Sequence, residues 1–434
     1  MSVFDHYFYI YLGLFAVVAT LYLNRRRKKQ QSHSAQLEQA VQSGLTEPPS
    51  LHPVVDLTRC MGSGACAKAC PEHALGVVNG KAVLINAAHC IGHGACAAAC
   101  PVEAIKLVFG TARRGVDIPN VTPQFESNVE GIFIAGELGG MGLIRKAAEQ
   151  GLQAIRALRK KTGAVGVDYD VVIVGCGPAG ISAGLCAIEH QLRYRLIEQE
   201  DSLGGAVYHY PRQKVAMTSS FKLALIGAVK FGDVHKEKLL QFWQDVVKKT
   251  GLQISFRERM EGIERGKGYF VVRTDRGSYS ACTVVLALGR RGTPRKLDVP
   301  GEESHKVVYR LVDPVQYEGQ AVLVVGGGDS ALEAAISLSM QVGTDVTLSY
   351  RGASFSRVKQ RNRMLLEQQQ EAGRLRVLLN SQVLAIAEDH VEVKHDQTPL
   401  RMRNDAVIVC AGGLLPIPLL QKIGIEFETK FGTE

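Results

Sequence analysis

At 434 residues with 46% hydrophobic side chains, the chain is long enough for about two to four domains with real cores, which excludes a disordered polypeptide. The formal charge of +9 invites a nucleic-acid reading, but the run Arg25–Lys29 alone supplies five of those charges; the remainder is only weakly basic and no nucleic-acid partner is expected. Ten cysteines divide into six clustered between Cys60 and Cys100, distributed as ligands, and four singles in apolar surroundings, Cys176, Cys186, Cys282 and Cys410, which suit core packing.

The chain opens on 17 uncharged, mostly apolar residues, Tyr7 to Leu23. As a helix they would extend about 26 Å, against a hydrocarbon core of ~30 Å, the lower limit for a span. No basic residue precedes the run and five follow it at once, unlike a cleaved signal peptide. A transmembrane anchor over residues 1–24 is therefore expected, with a buried or surface-lying helix as the alternative. The basic run lies on its C-terminal side, so the positive-inside rule places the rest of the chain in the cytoplasm. Residues 25–53, polar and carrying Pro48, Pro49 and Pro53, read as a linker.

Over residues 54–109 one unit is written twice, 30 residues apart: Cys60-M-G-S-G-A-Cys66-A-K-A-Cys70-Pro71 and Cys90-I-G-H-G-A-Cys96-A-A-A-Cys100-Pro101. Small Gly and Ala residues let a backbone wrap a cube of iron and sulfide with its amides turned to the sulfurs. The segment resembles a bacterial two-cluster ferredoxin, a small α+β domain whose halves carry C-x2-C-x2-C-x3-C-P and whose last Cys serves the other half's cluster. That resemblance implies a crossed arrangement, with Cys60, Cys66 and Cys100 on one cluster and Cys90, Cys96 and Cys70 on the other. Both repeats depart from the family pattern where Ser63 and His93 replace a Cys. Each centre then has three thiolates, which leaves open a three-iron (3Fe-4S) cluster, a four-iron (4Fe-4S) cluster completed by Ser or His, or a four-iron cluster with one labile site. Three-iron ferredoxins that serve cytochromes P450 have a similar non-Cys position. Zinc, which favours closer Cys pairs and four ligands, and a cluster-free domain are the alternatives.

Residues 110–161 contain N-V-E-G-I-F-I-A-G-E-L-G-G-M-G-L-I-R-K-A-A-E-Q-G. This stretch resembles the thioredoxin-reductase-like branch of the two-dinucleotide-binding flavoproteins, whose usual end is P-G-[VI]-F-A-A-G-D followed by a helix. The resemblance implies that Gly136 and Glu137 meet the flavin's ribityl chain, Glu137 replacing the usual Asp. It also puts Lys146 and Ala147 at the start of a helix whose positive end favours the reduced ring. In the family this segment closes the chain, whereas here it precedes everything else. A circular permutation is inferred, with Glu434 and Gly110 corresponding to neighbouring positions in the parent fold; an unrelated strand and helix is the alternative.

The stretch Val171 to Gly180, V-V-I-V-G-C-G-P-A-G, is a β-branched strand followed by a glycine turn that opens a helix. Gly175, Gly177 and Gly180, with Pro178 and Ala179 between them, have the spacing that lets backbone amides approach a pyrophosphate. Glu198 ends the next strand, about 20 residues on, where an acid binds a ribose hydroxyl. Leu203-G-G-A-V-Y-H-Y-P resembles the family's second flavin-contacting segment, with Gly204 and Gly205 allowing close approach; Tyr208 and Tyr210 read as packing residues. The FAD domain is expected over 162–294, with Gly289 in V-V-L-A-L-G-R-R-G-T-P-R as the crossing point to the next domain.

A second strand, turn and helix follows at Ala321-V-L-V-V-G-G-G-D-S-A-L-E-A-A, with Gly326, Gly328 and Ala331 at G-x-G-x-x-A spacing. The next strand ends in Tyr350 and Arg351 rather than an acid, with Arg357 and Lys359 beyond. Arginine suits the 2'-phosphate of NADPH, so NADPH is preferred and NADH is the alternative; a solvated basic surface would look the same. This NAD(P)H domain covers 295–404, and 405–434 returns to the FAD domain. The fold class expected is α/β, with two Rossmann-like dinucleotide-binding domains, the small ferredoxin-like domain and the N-terminal transmembrane helix.

No C-x-x-C follows Cys100, so the dithiol of thioredoxin reductases is absent. Ferredoxin-NADP reductases of this branch and bacillithiol-disulfide reductases share that absence, and Val207-Y-H-Y-P with the pair Ser219 and Ser220 resembles the latter. The leading expectation is a membrane-anchored FAD-dependent NAD(P)H oxidoreductase that feeds two fused iron-sulfur clusters and an unidentified acceptor, a redox protein or small molecule. Since the cofactors carry the chemistry, no catalytic acid, base or nucleophile is assigned. A low-molecular-weight disulfide reductase and a redox sensor or docking subunit are the other readings. The resemblance also implies a homodimer.

Overall fold

The N-terminal helix runs Val3–Gln42, through the apolar stretch, the basic run and most of the expected linker. The structure, a computed structural model, describes residues 3–48, 51–112, 114–140, 142–161, 166–212, 214–216, 218, 220–290, 292–356 and 358–432. Among the described residues no helix is long and apolar enough to cross a membrane. The expected transmembrane anchor and membrane attachment are thereby overturned, and the positive-inside argument loses its basis. Within this helix the apolar run Tyr7 to Leu23 extends about 26 Å, short of a ~30 Å core. Tyr11, Gly13, Thr20 and Tyr22 interrupt it before Arg25–Lys29 begin.

The linker reading also differs from the structure. Gln, Ala, Leu and Glu over residues 30–42 propagate a helix well, and prolines begin only at Pro48. One face of that segment is docked: the Val77 N–H donates to His33 Nδ1 at 2.9 Å, and Ala40 is buried.

One body comprises residues 1–111 with 354–360 and 432–434; a second comprises 112–353 with 361–431. In the first, the strands His52–Val55 and Ile105–Val108 pair antiparallel, with His52 opposite Val108, and Leu75–Val78 forms a hairpin with Lys81–Leu84. Between them stand two short helices, Ala65–Ala69 and Ala95–Ala98. The repeat in sequence is a repeat in backbone. Gly62, Gly64 and His73 have φ of 67°, 74° and 50°, and their counterparts Gly92, Gly94 and Glu103 have 74°, 80° and 49°.

In the second body the strands Met260–Arg265, Phe270–Thr274, Gly277–Leu286, Tyr169–Val174 and Tyr194–Ile197 form a sheet in that order. Ile132–Ile134 adds in parallel beside the last residues of Gly277–Leu286, Val284 opposite Ile132. The early segment therefore completes the first sheet, as a circular permutation requires. Side chains alternate between two buried faces: Phe133, Val171, Ile173 and Val285 face one cluster, and Ile132, Ile134, Val172 and Val284 the other. Strands Val116–Pro119 and Phe427–Lys430 pair antiparallel. Glu434 lies outside the described residues, but the Gly432 N–H donates to the Phe109 carbonyl at 2.8 Å, one residue from Gly110.

A second parallel sheet orders Val307–Val308, Ala406–Val409, Ala321–Val325, Asp345–Ser349 and Leu375–Leu378, followed by a separate three-stranded meander from Ser381 to Arg403. The chain passes between the two domains at Thr293–Pro294 and Gly413–Leu414, which pair antiparallel just after Gly289. Gly292 there has φ 53°, and a Cβ on it would lie 1.7 Å from the Leu414 carbonyl oxygen. The fold is α/β, with a parallel-stranded, glycine-loop domain built on each of the two sheets.

Candidate functional site

The two glycine loops are built by the same device. The first glycine of each, Gly175 and Gly326, donates its N–H to the last residue of the neighbouring strand, Ile197 at 2.8 Å and Ser349 at 2.9 Å. At each, a Cβ would lie 2.5 Å from a crossing carbonyl, that of Ala287 or Cys410. A Cβ on Gly180 would stand 1.8 Å from the Gly175 oxygen, so the helix can start this close to its own strand only with glycine there.

In the first domain the loop opens into a cavity of about 740 Å³. Of the residues the sequence singles out, Gly136, Glu137, Ala147, Gly175, Gly177, Pro178, Ala179, Glu198, Gly205 and Gly289 line it. Gly204, with φ 111°, and Gly180 stand behind this wall, and Lys146 is turned to Glu149 at 3.2 Å. The helices Pro178–Glu189 and Ile144–Leu158 both present their N-terminal residues to the cavity, which favours negative charge there. A Cβ on Gly205 would come within 3.0 Å of Gly177 Cα, so the two loops form a slot walled by backbone alone. That cradle fits a dinucleotide. Glu198 is buried, and its carboxylate accepts the N–H groups of Cys176 at 2.7 Å and Glu200 at 3.0 Å. Burial nevertheless pushes its carboxyl above the usual range.

Glu137 faces a partner that the sequence motif did not mark. Burial raises its pKa, while the Arg290 guanidinium and backbone N–H oppose that rise. Arg290 in turn donates to the Asp117 carbonyl at 3.1 Å, and burial lowers its own pKa. Because the folded chain holds the Glu137 proton more tightly than the unfolded one, ionised Glu137 costs stability at neutral pH. Glu137→Gln is expected to stabilise the flavin-free protein above the raised Glu137 pKa. The advantage should shrink as pH falls through that value and vanish below the usual carboxylate range, which urea unfolding at a series of pH values will show.

Tyr210, read from sequence as packing, also lines the cavity, and the Lys214 ammonium lies 4.7 Å over its ring. His209 lines it too and meets Arg310 of the second domain. Only the quoted Y-H-Y segment signals these positions. Lys214 pairs with Glu333 at 2.7 Å and Arg212 with Asp313 at 2.9 Å, joining the two dinucleotide domains. Gly326, Gly328 and Ala331 are not among the residues lining the cavity. They form their own strand-turn-helix, with the Tyr350 ring so close to Gly327 that a Cβ there would overlap it at 2.2 Å. Arg351 is exposed beside this turn, and Arg357 and Ser219 lie outside the described residues.

The ferredoxin-like body sorts its six thiols into two sets. Cys60, Cys66 and Cys100 line one pocket with Ser63. Cys70, Cys90 and Cys96 line another with His93. Each set therefore draws one cysteine from the opposite repeat. Among the described residues the ligand atoms of neither set lie close enough together to hold a single metal ion, whereas three thiolates spread around a pocket fit an iron-sulfur cluster. The four remaining cysteines are also free of disulfides, and Cys176, Cys186 and Cys282 are buried.

Comparison with known proteins agrees with this division. The pyridine nucleotide-disulphide oxidoreductase family matches residues 172–432, and a 4Fe-4S dicluster domain matches residues 52–101. The ferredoxin–NADP reductase of Thermus thermophilus is 30% identical over 271 residues, 60% of this chain and 77% of that one. The bacilliredoxin reductase of Bacillus subtilis is 27% identical over 273 residues, 61% of this chain and 83% of that one. Among solved structures, the bacillithiol disulfide reductase of Bacillus cereus superimposes with a TM-score of 0.55 at 26% identity, covering 59% of this chain and 82% of its own. The cofactors are FAD, NADPH and iron-sulfur clusters. The chain belongs to the pyridine nucleotide-disulphide oxidoreductase family, as an FAD-dependent NAD(P)H oxidoreductase fused to a ferredoxin-like iron-sulfur domain.

Proposed function

We propose that the chain takes electrons from NADPH at its FAD and delivers them to its own iron-sulfur clusters, which serve an external acceptor, a redox protein or small molecule. The observation that carries this reading is that among the described residues no cysteine lines the dinucleotide cavity, while the same chain carries two pockets of three thiols each. A dithiol relay at the flavin has no groups to use; a cluster relay does. Bound FAD supplies acceptance of a hydride and release of single electrons. The chain's residues would hold and bias it: Glu198, which fixes the glycine loop, would take the ribose, the two helix N-termini would favour the pyrophosphate and the reduced ring, and Glu137 with Arg290 would set the charge at the ribityl end. Arg351 suits the extra phosphate of NADPH. Fusion replaces the affinity of a separate ferredoxin with effective concentration.

Anaerobic addition of NADPH is expected to bleach the flavin absorbance and then change the cluster EPR signal. Flavin that bleaches while the clusters stay oxidised would sink the proposal. A second reading, a disulfide reductase acting directly from the flavin, draws on the likeness to the bacilliredoxin and bacillithiol disulfide reductases. NADPH consumption that depends on a low-molecular-weight disulfide and survives loss of the clusters would favour it.

A further inference from the structure

The internal repeat makes the two cysteine pockets comparable position by position, and they differ in charge and in the groups that face the sulfurs. We propose that the pocket of Cys60, Cys66 and Cys100 holds the cluster of higher reduction potential, with Lys81 and Glu72 setting the order, so that an electron entering this domain comes to rest there.

Lys81 directs its ammonium onto the loop of the first pocket, donating to the Cys60 carbonyl at 2.7 Å and the Leu57 carbonyl at 2.8 Å. A cation fixed there stabilises the more negative, reduced cluster. At the second pocket the corresponding influence is an acid. Glu72, two residues after Cys70, lines it, whereas the residue two after Cys100 is Val102, which lines the first. Asp56 is also near the first loop, but it is exposed and engaged by the Thr58 amide and hydroxyl, so water screens it.

Hydrogen bonds to sulfur act in both pockets, each one withdrawing charge from a thiolate and raising the potential. In the first pocket the Ala82 N–H donates to Cys60 Sγ at 3.4 Å and the Ala104 N–H to Cys100 Sγ at 3.2 Å. At the second pocket the backbone N–H groups of Gly92 and Ala97 serve Cys90 and Cys96. There Cys90 Sγ stands 3.8 Å from the Leu51 carbonyl oxygen, an arrangement that disfavours extra charge on sulfur. Met61 is 64% exposed and Ser63 is exposed at the first pocket, while His93 is half-buried at the second. The thiols themselves are buried alike, Cys60 and Cys66 at 8% and 6% and Cys90 and Cys96 at 8% and 7%, so access to water does not separate the two pockets.

The electron count is simple. NADPH yields NADP⁺, a proton released to water and two electrons, enough to reduce each cluster by one electron with no bond made or broken at the cysteines. With one electron present, it occupies the Cys60, Cys66 and Cys100 pocket; the second fills the other. This inference takes from the proposed function only the source of the electrons.

The test is a potentiometric titration of the cluster-loaded full-length protein with dithionite and mediators, followed by EPR, with iron and sulfide counted for every variant. Two reduction waves are expected. Lys81→Met should lower the upper wave by roughly tenfold in its one-electron equilibrium constant, about 59 mV, and leave the lower wave in place. Glu72→Val should raise the lower wave and leave the upper; Val102→Glu should lower the upper. A single wave in the unaltered protein, Lys81→Met acting on the lower wave, or Glu72→Val acting on the upper would each overturn the assignment. If Lys81→Met sheds iron, the Glu72 and Val102 variants decide. Dithionite needs neither NADPH nor flavin, so failure here is distinct from failure of electron delivery from NADPH.

Discussion

Gly151→Ala is expected to empty the flavin site while leaving the iron content unchanged. Gly151 lies outside both glycine loops, in the helix Ile144–Leu158 that precedes the first loop in the chain. Its α-hydrogen faces the start of the helix Pro178–Glu189, and a Cβ would sit 2.0 Å from the Ala179 carbonyl oxygen and 3.2 Å from Ala179 Cα. The obstacle is main chain, which cannot rotate aside as a side chain would. One helix must move off the other, at a cost near or above the upper end of the ~1–3 kcal/mol typical of overpacked cores. The displaced pieces are the two helix starts that line the cavity. The readout is flavin absorbance per protein beside iron per protein. Gly277→Ala, where a Cβ meets nothing within 4 Å, is the control and should retain its flavin. Full flavin occupancy in Gly151→Ala would mean that this early segment is not part of the flavin-binding domain in solution.

The second large effect concerns the cysteines. Cys70→Ser and Cys96→Ser are expected to remove the same centre although they belong to different repeats, because Cys70, Cys90 and Cys96 share one pocket. The double variant should then lose no more iron than either single variant, roughly half the total, as expected for groups acting as one unit. Cys60→Ser combined with Cys70→Ser should remove nearly all of it, although both residues lie in the first repeat, because Cys60 lines the other pocket. In all three, NADPH should still bleach the flavin. One intact centre surviving in the Cys60 and Cys70 double variant would show that each repeat holds its own cluster.

Both expectations use features that differ in how far the sequence alone reveals them. The glycine loops and the cysteine repeats are local devices. Which residues must lack a Cβ, and which must supply sulfur, is settled within about ten residues of chain by the close approach of backbone to a phosphate or an inorganic cluster. Their positions, the paired dinucleotide domains and the displaced flavin segment could all be read from the order of residues. The helix that replaces the expected anchor and linker could not. Its continuation to Gln42 joins good helix formers to a docking contact between His33 and the hairpin 75–84, more than 40 residues away, and a hydropathy run carries no trace of that contact.

The same holds for the finer features of the sites. Arg290 reaches Glu137, 153 positions earlier, only because the strands Ile132–Ile134 and Gly277–Leu286 lie side by side. Lys214 finds Glu333 because the helix Asp329–Ser339 of the second dinucleotide domain lies against the segment that carries Lys214. Lys81 and Glu72 acquire unequal tasks only when the repeats cross. Sequence by itself determined which cofactors this protein takes and the order of its pieces, since short-range geometry dictates those residue types. The tertiary structure alone decided which charges stand against which cofactor site, because a side chain's electrostatic surroundings are set by whatever distant strand or helix packs beside it.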